Sequence, residues 1–412
     1  MIKHYIKKLI GEKNFAVIRA FVLTTKNNFK SKIDCSLPYK VLSQKDAHVF
    51  FGYYDIQQLS SDEEKALVHV IHQGADTNAE AKIGYYDKEC NFTELCKTRA
   101  WCWQQGARLR WHPNDSDLVI YNDFVNDSYV TQVFSINKKG VVDTYDRAFY
   151  DIDSKFCYGL SLNFSRLQRL RPGYGYSNIK DSTEGIPIPE NDGIYRTDLN
   201  TGKTQLLITY ERVTNGLENK TDFEHYFNHI SFSPDGKRFI FFHIFQKVNS
   251  YMWKTRLICS DINGENLNVL EENNKVSHYC WNGSDELLVT CYDENGNQFY
   301  ERIDIHSGEK SIFNGKVLTR DGHPTLRNDG LFVTDTYPNS NSFQKLIICD
   351  NYKDDNSMVP SHEISLFHSP YLEGEKRCDL HPRVSRSGRY ISLDTTFTGN
   401  KRSCIIIDRK KA

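Results

Sequence analysis

The sequence has no excess of charge of either sign. Its 412 residues include 52 lysines and arginines and 53 aspartates and glutamates, which gives a formal net charge of −1. Proteins that bind nucleic acid through a basic surface usually carry a clear positive excess. Nucleic acid is therefore not an expected partner of this chain.

The sequence also has no paired cysteine motif and no long apolar run. Its eleven cysteines are scattered and form no C-x-x-C pair, so neither a disulfide framework nor a cysteine-ligated zinc site is indicated. Free thiols are typical of a reducing compartment. Near the N terminus the longest apolar run is "AFVLTT", which is too short for a signal peptide core or a membrane span. We therefore expect a cytoplasmic protein.

Common catalytic and nucleotide-binding motifs are missing as well. The sequence contains no G-x-S-x-G nucleophile turn and no Walker-type or dinucleotide-binding glycine loop. The absence of the nucleophile turn argues against a serine peptidase, although propellers accompany some of those enzymes.

What the sequence does contain is a repeated pattern of short alternating strands, together with 24 Tyr and 24 Phe. From about residue 35 onward, a strand–turn–strand unit recurs seven times at intervals of about 40–60 residues. The units contain "FGYYDIQQLSSDEEKALVHV", "QGARLRWHPNDSDLVIYND", "CYGLSLNFSRLQRLRPGYGY", "FNHISFSPDGKRFIFFH", "SHYCWNGSDELLVTCYD", "DGHPTLRNDGLFVTDT" and "CDLHPRVSRSGRYISLDTT". This pattern predicts an all-β, seven-bladed β-propeller over residues 34–412.

The last unit is one strand short. It leaves room for only three strands before residue 412, whereas the strand-like "LPYKVLSQ" precedes the first unit. A ring left open would expose unpaired strand edges. We therefore predict that residues 38–44 supply the outer strand of the last blade and close a single domain.

Residues 1–33 form a basic segment with the pattern of a short amphipathic helix. Its apolar positions are Ile2, Ile6, Ile10, Val17 and Phe21, and its basic positions are Lys3, Lys7, Lys8, Lys13 and Arg19, with an interruption at Gly11. Helices of this kind lie on anionic lipid in some proteins, so peripheral membrane contact through residues 1–30 is one interpretation. The alternative is a helix that docks on the main domain.

Four histidines occupy the same position in successive units. They are His229, His278, His323 and His381, each near the start of the first strand of its unit. Because the first strands of a propeller line its central channel, residues at this position converge in space. A single histidine there more often only satisfies a hydrogen bond. Four in register favour a shared site.

The first three units place other polar residues at the corresponding positions. These are Asp55, Arg108, Arg110, Asn163, Arg166 and Arg169, and Arg171, Tyr174 and Tyr176 follow in "RLRPGYGY". Guanidinium groups bind carboxylates through paired N–H bonds, and tyrosine faces and hydroxyls suit sugars. An acidic oligosaccharide is the ligand that this combination fits. The alternative is a solvated charged strand with aromatic packing between blades.

Several of these blocks resemble one family of enzymes. "GYYD", "QQGARLRW", "SLNFSRLQRLRPGYGY", "FNHISFSPDGKRFIFFH" and "VSHYCW" are similar to blocks of the oligogalacturonate lyases, seven-bladed propellers that act on short uronic-acid chains. The resemblance covers most of residues 48–400. It implies that His229 is the catalytic base and that His278 is a ligand of a manganese-type ion.

The sequence departs from the family pattern in the next blade. The family supplies a glutamine and two histidines from one short loop, whereas "LTRDGHPT" keeps His323 and has Arg320 and Thr325 at the other two positions. Asp321 or His381 would compensate, or an arginine would take the place of the ion. We expect Mn²⁺ as the cofactor, with His278, His323 and His381 as its ligands.

The implied reaction is β-elimination from a uronate. The site must neutralise the substrate carboxylate, by a divalent ion or by arginine, before a base removes the adjacent proton. Neutral histidine suits that step. The predicted catalytic residues are His229, Arg169 and Tyr176, and the predicted substrate-binding residues are Asp55, Arg108, Arg110, Arg166, Arg171 and Tyr174. His225 is a further candidate proton donor, and His243 ranks below His229 because it lies on a second strand.

A function from another class fits the same features. A non-catalytic propeller that binds acidic glycan, or serves as a scaffold in a polysaccharide biosynthesis system, accounts for the altered "TRDGHPT" loop and the basic N-terminal segment.

Overall fold

The strands of this protein form seven consecutive antiparallel sheets. The structure is a computed structural model that describes residues 11–27, 31–247, 253–350, 352 and 358–410. Within these residues, six sheets have four strands and one has five. The three α-helices of the same part of the chain are α1 (Glu12–Asn27), α2 (Phe164–Leu170) and α3 (Tyr210–Thr214).

The sheets are the seven blades of a propeller. The strands that precede blade 1 are β1 (Ile33–Asp34) and β2 (Tyr39–Leu42). Blades 1 and 2 contain β3 (Ala47–Phe50), β4 (Ala66–His72), β5 (Ala81–Tyr86), β6 (Phe92–Thr98), β7 (Arg110–Trp111), β8 (Leu118–Val125), β9 (Ser128–Ser135) and β10 (Gly140–Tyr145). Blades 3 and 4 contain β11 (Asp151–Ile152), β12 (Tyr158–Ser161), β13 (Gly193–Asp198), β14 (Thr204–Thr209), β15 (Phe223–Phe232), β16 (Arg238–Lys247), β17 (Trp253–Asp261) and β18 (Asn268–Glu271).

The remaining strands belong to blades 5 to 7. They are β19 (Lys275–Asn282), β20 (Glu286–Tyr292), β21 (Gln298–Asp304), β22 (Lys310–Ile312), β23 (Thr325–Leu326), β24 (Phe332–Asp335), β25 (Phe343–Cys349), β26 (His362–Phe367), β27 (Arg383–Val384), β28 (Tyr390–Thr395) and β29 (Ser403–Asp408). The predicted all-β, seven-bladed propeller with an N-terminal helix is confirmed.

Burial of the middle strands of each blade builds the core. In β16, Phe239, Ile240 and Phe241 are all fully buried, because both faces of a blade pack against neighbouring blades. The turn before β16 is "SPDG", in which the Ser233 hydroxyl donates to Asp235 and Gly236 has φ of 74°. Glycine reaches this left-handed conformation without the steric cost that a side chain would impose.

The ring closes through the predicted N-terminal strand. Strand β2 pairs with β29 from Tyr39 opposite Ile407 to Leu42 opposite Cys404, and so completes blade 7. Strand β1 is an addition that the sequence pattern did not indicate. It pairs with β26 and makes blade 6 the five-stranded sheet. The chain therefore covers the edge of one blade before it closes the next.

The predicted register of the third unit is wrong. The inner strand of blade 3 is β11, whereas "CYGLS" contains its second strand, β12, and "FSRLQRL" forms α2 between β12 and β13. The Asn163 side chain caps α2 by accepting the backbone N–H of Arg166. Asn163, Arg166 and Arg169 are therefore not at the start of an inner strand.

The N-terminal segment is described only in part. Helix α1 begins after Gly11, and the predicted positions at residues 1–10 lie outside the described residues. Among the helices that the structure describes, none is both long and apolar enough to cross a membrane.

Candidate active site

Four histidine rings meet at the hub of the propeller, on or just before the inner strands of blades 4 to 7. The ring centres of His278 and His323 are 4.0 Å apart, and those of His323 and His381 are 4.4 Å apart. His229 stands 6.3 Å from His278. All four residues are buried. The structure thus brings the four histidines of the sequence register into one place.

Local irregularities of the inner strands aim two of these rings. The pairing of β15 shifts between Asn228 and Ser231, and that of β19 shifts between Val276 and His278. A β-bulge re-aims a side chain that regular alternation would place elsewhere. His229, within the first bulge, has φ of 53°, which is uncommon for a residue other than glycine. Backbone strain of this kind is frequent at functional sites.

Asp335, at the end of β24, positions the other two histidines. The backbone N–H of His323 donates to one carboxylate oxygen of Asp335 at 2.7 Å, and the N–H of His381 donates to the other at 3.2 Å. A Cβ on Gly322 would lie 2.0 Å from the Asp335 carbonyl oxygen, so the loop before β23 packs directly on β24. One buried carboxylate therefore ties blades 6 and 7 together at the hub.

Each of three rings is held through one nitrogen. The Nδ1 contacts are His278 to Asp321 at 2.9 Å, His323 to Asp335 at 2.8 Å, and His381 to the Gly52 carbonyl at 2.8 Å. Because these partners are acceptors, Nδ1 donates in each bond. The Nε2 atoms of His323 and His381 are buried and find no hydrogen-bond partner in the part of the chain that the structure describes. Metal-ligating histidines are held in this way.

Three side chains at the hub have the geometry of a metal site. Atoms of His323, Asp379 and His381 that can serve as ligands all lie within 4.8 Å of one another, and all three residues are buried. His278 is adjacent to His323 but is not a member of this group. Two imidazoles and one carboxylate are a donor set that divalent transition ions, including Mn²⁺, accept. With the two orphaned Nε2 atoms, this set fits the predicted ion.

Asp379 was missed as a site residue. Its signal was present in "CDLHP", because residues two apart in an extended segment point to the same side, and this places Asp379 beside His381. Arg377 donates to the Asp379 carboxylate at 3.0 Å. Burial raises the pKa of Asp379, but Arg377 and His323 outweigh burial and lower it, so the carboxylate is ionised.

The hub attracts positive charge at its centre. Burial lowers the pKa of His323, but Asp335, Asp379 and Asp321 together outweigh burial and raise it. Burial and the neighbouring positive charge of His323 hold the pKa of His381 well below its usual value. The buried carboxylates that converge on His323 therefore favour positive charge on this ring.

His229 lies beside this centre and stays neutral. Burial, and then the charges of His278 and Arg171, hold its pKa well below the usual 6.5. Its Nε2 is 3.3 Å from the amide nitrogen of Asn228, and its Nδ1 is buried with no hydrogen-bond partner among the described residues. The Tyr53 ring stacks on His229 with ring centres 5.2 Å apart.

The rings of Tyr53 and Tyr54 pack against the four hub histidines. The two tyrosines lie on the segment that follows β3, the inner strand of blade 1. This segment returns to the sheet at Leu59, which forms an isolated bridge with Ala66 of β4. The Tyr54 hydroxyl donates to the Tyr279 carbonyl at 2.7 Å and accepts the Tyr279 N–H at 3.0 Å. Both tyrosines stand in "GYYD", where only Asp55 had been singled out.

A small cavity opens beside His229 and His278. Its volume is about 30 Å³, which holds one or two water molecules or a metal ion. The lining residues are Arg171, Tyr174, Tyr226, Asn228, His229, Phe242, Ile244, Trp253, Val276, Ser277, His278 and Tyr337.

Two cations flank the Trp253 ring at this cavity. The Arg171 guanidinium lies 4.9 Å and the Lys275 ammonium 3.3 Å from the Trp253 ring centre. Within the described residues, neither cation forms an ion pair. Burial and the charge of Arg171 lower the pKa of Lys275 to about 8. Two cations that form no ion pair among the described residues therefore lie beside the cavity.

The other predicted arginines have protein partners. The Arg108 guanidinium pairs with Asp55 at 2.8 Å, and that of Arg110 pairs with Asp151 at 2.7 Å. Arg166 is buried and donates to four backbone carbonyls, those of Thr183, His225, Ile186 and Pro187. Arg169 pairs with Asp181 at 2.7 Å and Glu224 at 2.8 Å. Of the predicted arginines, only Arg171 lines the hub cavity.

The two predicted tyrosines differ in position. The Tyr174 hydroxyl accepts an N–H of Arg377 at 2.8 Å, and its ring lines the hub cavity. The Tyr176 hydroxyl accepts the Asn122 amide at 2.8 Å, and its ring stacks on Phe164 with centres 4.3 Å apart. Tyr176 therefore belongs to the packing between blades.

Four other residues of the sequence-based prediction do not line the hub cavity, namely His225, His243, Arg320 and Thr325. His225 and His243 contact each other at 2.9 Å through their ring nitrogens, and both are buried. Arg320 is exposed and lines a separate cavity, and Thr325 begins β23. The hub thus lacks side chains from these two positions of the family pattern.

The comparisons with known proteins concern the fold. No protein-family model matches the chain, and no curated protein matches it in sequence. Among solved structures it is similar to an oligogalacturonate lyase in complex with manganese, with a TM-score of 0.64 and 14% identity over 93% of this chain and 98% of that chain. It is also similar to the oligogalacturonate lyase from Vibrio parahaemolyticus, with a TM-score of 0.61 and 13% identity over 93% of this chain and 99% of that chain.

Another propeller protein shows the same architecture with less agreement. The tricorn protease matches with a TM-score of 0.52 and 10% identity, over 87% of this chain and 34% of that chain. At such identities the similarity is one of fold. The fold of this chain is the seven-bladed propeller of the oligogalacturonate lyases.

Proposed function

We propose that this protein is a lyase-like enzyme that cleaves uronic-acid-containing oligosaccharides by β-elimination. The observation that carries the proposal is the juxtaposition of a buried neutral His229, the cation Arg171 on the same cavity, and the donor group of His323, Asp379 and His381. The reaction needs a base and a means of neutralising the substrate carboxylate, and the cation and the candidate metal ligands both suit the second task.

His229 is the proposed base. β-Elimination removes the proton next to the substrate carboxylate, and only an unprotonated imidazole accepts it. Burial and the neighbouring positive charges lower the pKa of His229, so the ring is neutral at pH 7. The bulge in β15 and the stacked Tyr53 ring hold the imidazole in one orientation.

Neutralisation of the substrate carboxylate is the second part. The Arg171 guanidinium offers paired N–H donors, which match the geometry of a carboxylate. Lys275 adds a second positive charge across the Trp253 ring. His323, Asp379 and His381 would hold Mn²⁺ beside them, with His278 adjacent. When bound, the ion supplies Lewis-acid stabilisation of the negative charge that develops on the carboxylate.

Tyr174 is the proposed proton donor to the leaving sugar oxygen. Its hydroxyl oxygen already accepts an N–H of Arg377, so its own proton is free to donate into the cavity. Unlike Tyr176 and His225, Tyr174 lines the cavity together with His229. Arg169 and Tyr176 do not line this cavity, so we assign neither of them a role in the reaction.

A second candidate function is a non-catalytic acidic-glycan-binding or scaffold propeller in a polysaccharide biosynthesis system. The observation that favours it is the size of the cavity, about 30 Å³, whereas sites for small molecules usually have about 300 Å³ or more. An oligosaccharide reaches His229 only if the side chains at the mouth, such as Trp253 and Tyr337, move apart. A binding protein would instead hold one acidic group at the mouth.

The deciding experiment supplies a panel of uronic-acid oligosaccharides with Mn²⁺ and follows the ultraviolet absorbance of an unsaturated uronate. We expect product from the wild type and a loss of about 10²- to 10⁴-fold in kcat for His229→Ala, because the base is removed. The matched control is His306→Ala, since His306 is on the surface. If no substrate yields product while calorimetry still detects acidic-glycan binding, the second candidate function replaces the first.

A further inference from the structure

Helix α1 presents an apolar stripe to solvent. Val17, Ile18, Phe21 and Val22 are between 53% and 64% exposed, and their spacing places them on one side of the helix. The opposite side is buried through Ala20, Leu23 and Asn27. A surface helix normally exposes polar residues and buries its apolar stripe. Among the residues that the structure describes, the exposed stripe of α1, residues 17, 18, 21 and 22, therefore has no packing partner.

The helix is fixed on the propeller by polar contacts at its C-terminal end and in its middle. The Asn27 amide donates to the Asn341 carbonyl at 3.3 Å, and the Lys26 ammonium donates to the Asn341 side chain at 3.2 Å. Arg19 lies 3.7 Å from Glu373. These contacts set the direction in which the exposed stripe of α1 faces.

That direction is related to the hub. Asn341 follows β24, whose last residue, Asp335, holds His323, and Glu373 lies on the connection from β26 that leads to His381. Because successive strands of a blade are antiparallel, the connection after the second strand and the connection after the fourth strand emerge at the same end. Helix α1 is therefore docked on the face of the propeller where the four histidines lie.

The size of the stripe argues against a protein partner. Four side chains of this kind offer roughly 100 Å² each when fully exposed, or at most about 400 Å² together. A stable protein–protein interface needs about 800 Å² on each partner. A stripe of four apolar residues that stands out from one helix suits shallow insertion between lipid headgroups, where its own area is sufficient.

Charge specifies the kind of surface. The sequence that leads into α1 carries Lys3, Lys7 and Lys8, and Lys13 and Arg19 lie within the helix, whereas Glu12 is the only acidic residue up to that point. Clusters of basic residues beside an apolar helix face favour anionic lipid headgroups. We propose that the exposed stripe of α1 inserts into the interface of an anionic lipid bilayer and turns the hub face of the propeller towards it.

The test is co-sedimentation of the full-length protein with vesicles. Vesicles of phosphatidylcholine mixed with phosphatidylserine should bind the wild type, and phosphatidylcholine alone should bind it more weakly. Phe21→Ser combined with Val22→Ser should lower the partition coefficient by about tenfold or more, because two inserted apolar side chains are lost. The matched control is Val141→Ser combined with Val142→Ser, which alters exposed residues on β10 and should leave binding unchanged.

Two further measurements keep the proposal falsifiable. The fluorescence of a Phe21→Trp variant should shift to shorter wavelength on addition of the anionic vesicles, as expected for an indole leaving water. Equal partition of the wild type and the Phe21/Val22 double variant would overturn the proposal. A wild-type dimer in analytical ultracentrifugation that the double variant abolishes, without vesicle binding by either, would assign the stripe to a second copy and would equally overturn it.

Discussion

Hydrogen bonds to one ring nitrogen decide what each hub histidine offers. His323 and His381 each donate Nδ1–H to a protein oxygen, so Nε2 is left without a partner in the described structure. A buried polar atom without a partner destabilises the fold by about 1–3 kcal/mol. Such atoms persist where a ligand or ion satisfies them in the functional state.

Asp379→Asn tests the metal site. The amide keeps the shape of the side chain but removes the negative charge, so we expect Mn²⁺ affinity to fall at least about tenfold in calorimetry. Asp329→Asn alters an exposed carboxylate of blade 6 and serves as the matched control. Unchanged Mn²⁺ affinity in Asp379→Asn, with thermal stability preserved, would show that the ion is not held at this group.

Lys275 should make the binding of an acidic ligand depend on pH. Its lowered pKa of about 8 means that its charge is lost as the pH rises through 8. Three groups face Lys275. Arg171 remains charged. The pKa of Asp321 is lowered, chiefly by His278 and against the effect of burial, whereas burial raises the pKa of Tyr292. Among these four groups, Lys275 is therefore the one that titrates between pH 7 and 9.

We expect the Kd of a uronate to rise about tenfold from pH 7 to pH 9. Lys275→Arg should keep the charge and abolish the dependence, and Lys275→Met should weaken binding at every pH. Calorimetry of wild type and both variants at several pH values makes this measurement. A pH dependence that survives in Lys275→Arg would contradict the assignment.

Among the secondary-structure elements, strand β2 is the one that closes the ring. It is far in sequence from β29, and the pairing of the two joins the N-terminal part of the chain to its last blade. Leu42 on β2 is 1% exposed and packs in the same hydrophobic cluster as Cys404. As the outermost strand of blade 7, β2 covers the edge that β29 would otherwise leave unpaired.

Leu42→Ala should therefore lower the free energy of unfolding by more than a typical surface substitution does. Loss of a buried leucine side chain lowers the free energy of unfolding by about 2–5 kcal/mol. Lys40→Ala on the same strand, at an exposed position, should change it by no more than about 0.5 kcal/mol. Denaturant unfolding of both variants gives the comparison, and equal values would mean that β2 adds little to the closed ring.

At the scale of the whole molecule, burial of neutral histidines should make the fold sensitive to acid. Burial lowers the pKa of His48, His69 and His368 to about 4. In the unfolded chain these groups titrate near 6.5. Below that pH the unfolded state binds protons that the folded state does not, so stability falls as the pH falls from about 6.5 towards 4.

Each of these histidines contributes up to about 1.4 kcal/mol per pH unit in this window. His323 acts in the opposite direction because its folded pKa is raised, but it is one group against several. We expect the thermal midpoint to fall steeply between pH 6.5 and pH 5, and His368→Gln to reduce the slope. Calorimetric scans across this range check the prediction, and a midpoint that stays constant would contradict it.

Much of the architecture could be predicted from local signals. The number of blades, the hairpin turns and the supply of the last outer strand by residues 38–44 follow from strand alternation, turn residues and the need to close a ring. The register of the third unit failed because α2 interrupts it. Strand β12 and α2 together form one run of apolar residues interspersed with arginines. Over such short lengths the residue pattern of a strand cannot be told from that of a helix.

The repeat pattern is enough to predict that four histidines recur in register and therefore meet, because the position within a repeat sets the position in the ring. The neighbours of these histidines follow from the folding of the whole chain. Asp379 lies beside His323, Tyr53 and Tyr54 pack against the histidines, and of the predicted arginines Arg171 alone lines the hub cavity. Pairing of a buried charge depends on groups that arrive from other blades, and no local pattern in the chain encodes which of them comes within hydrogen-bond distance.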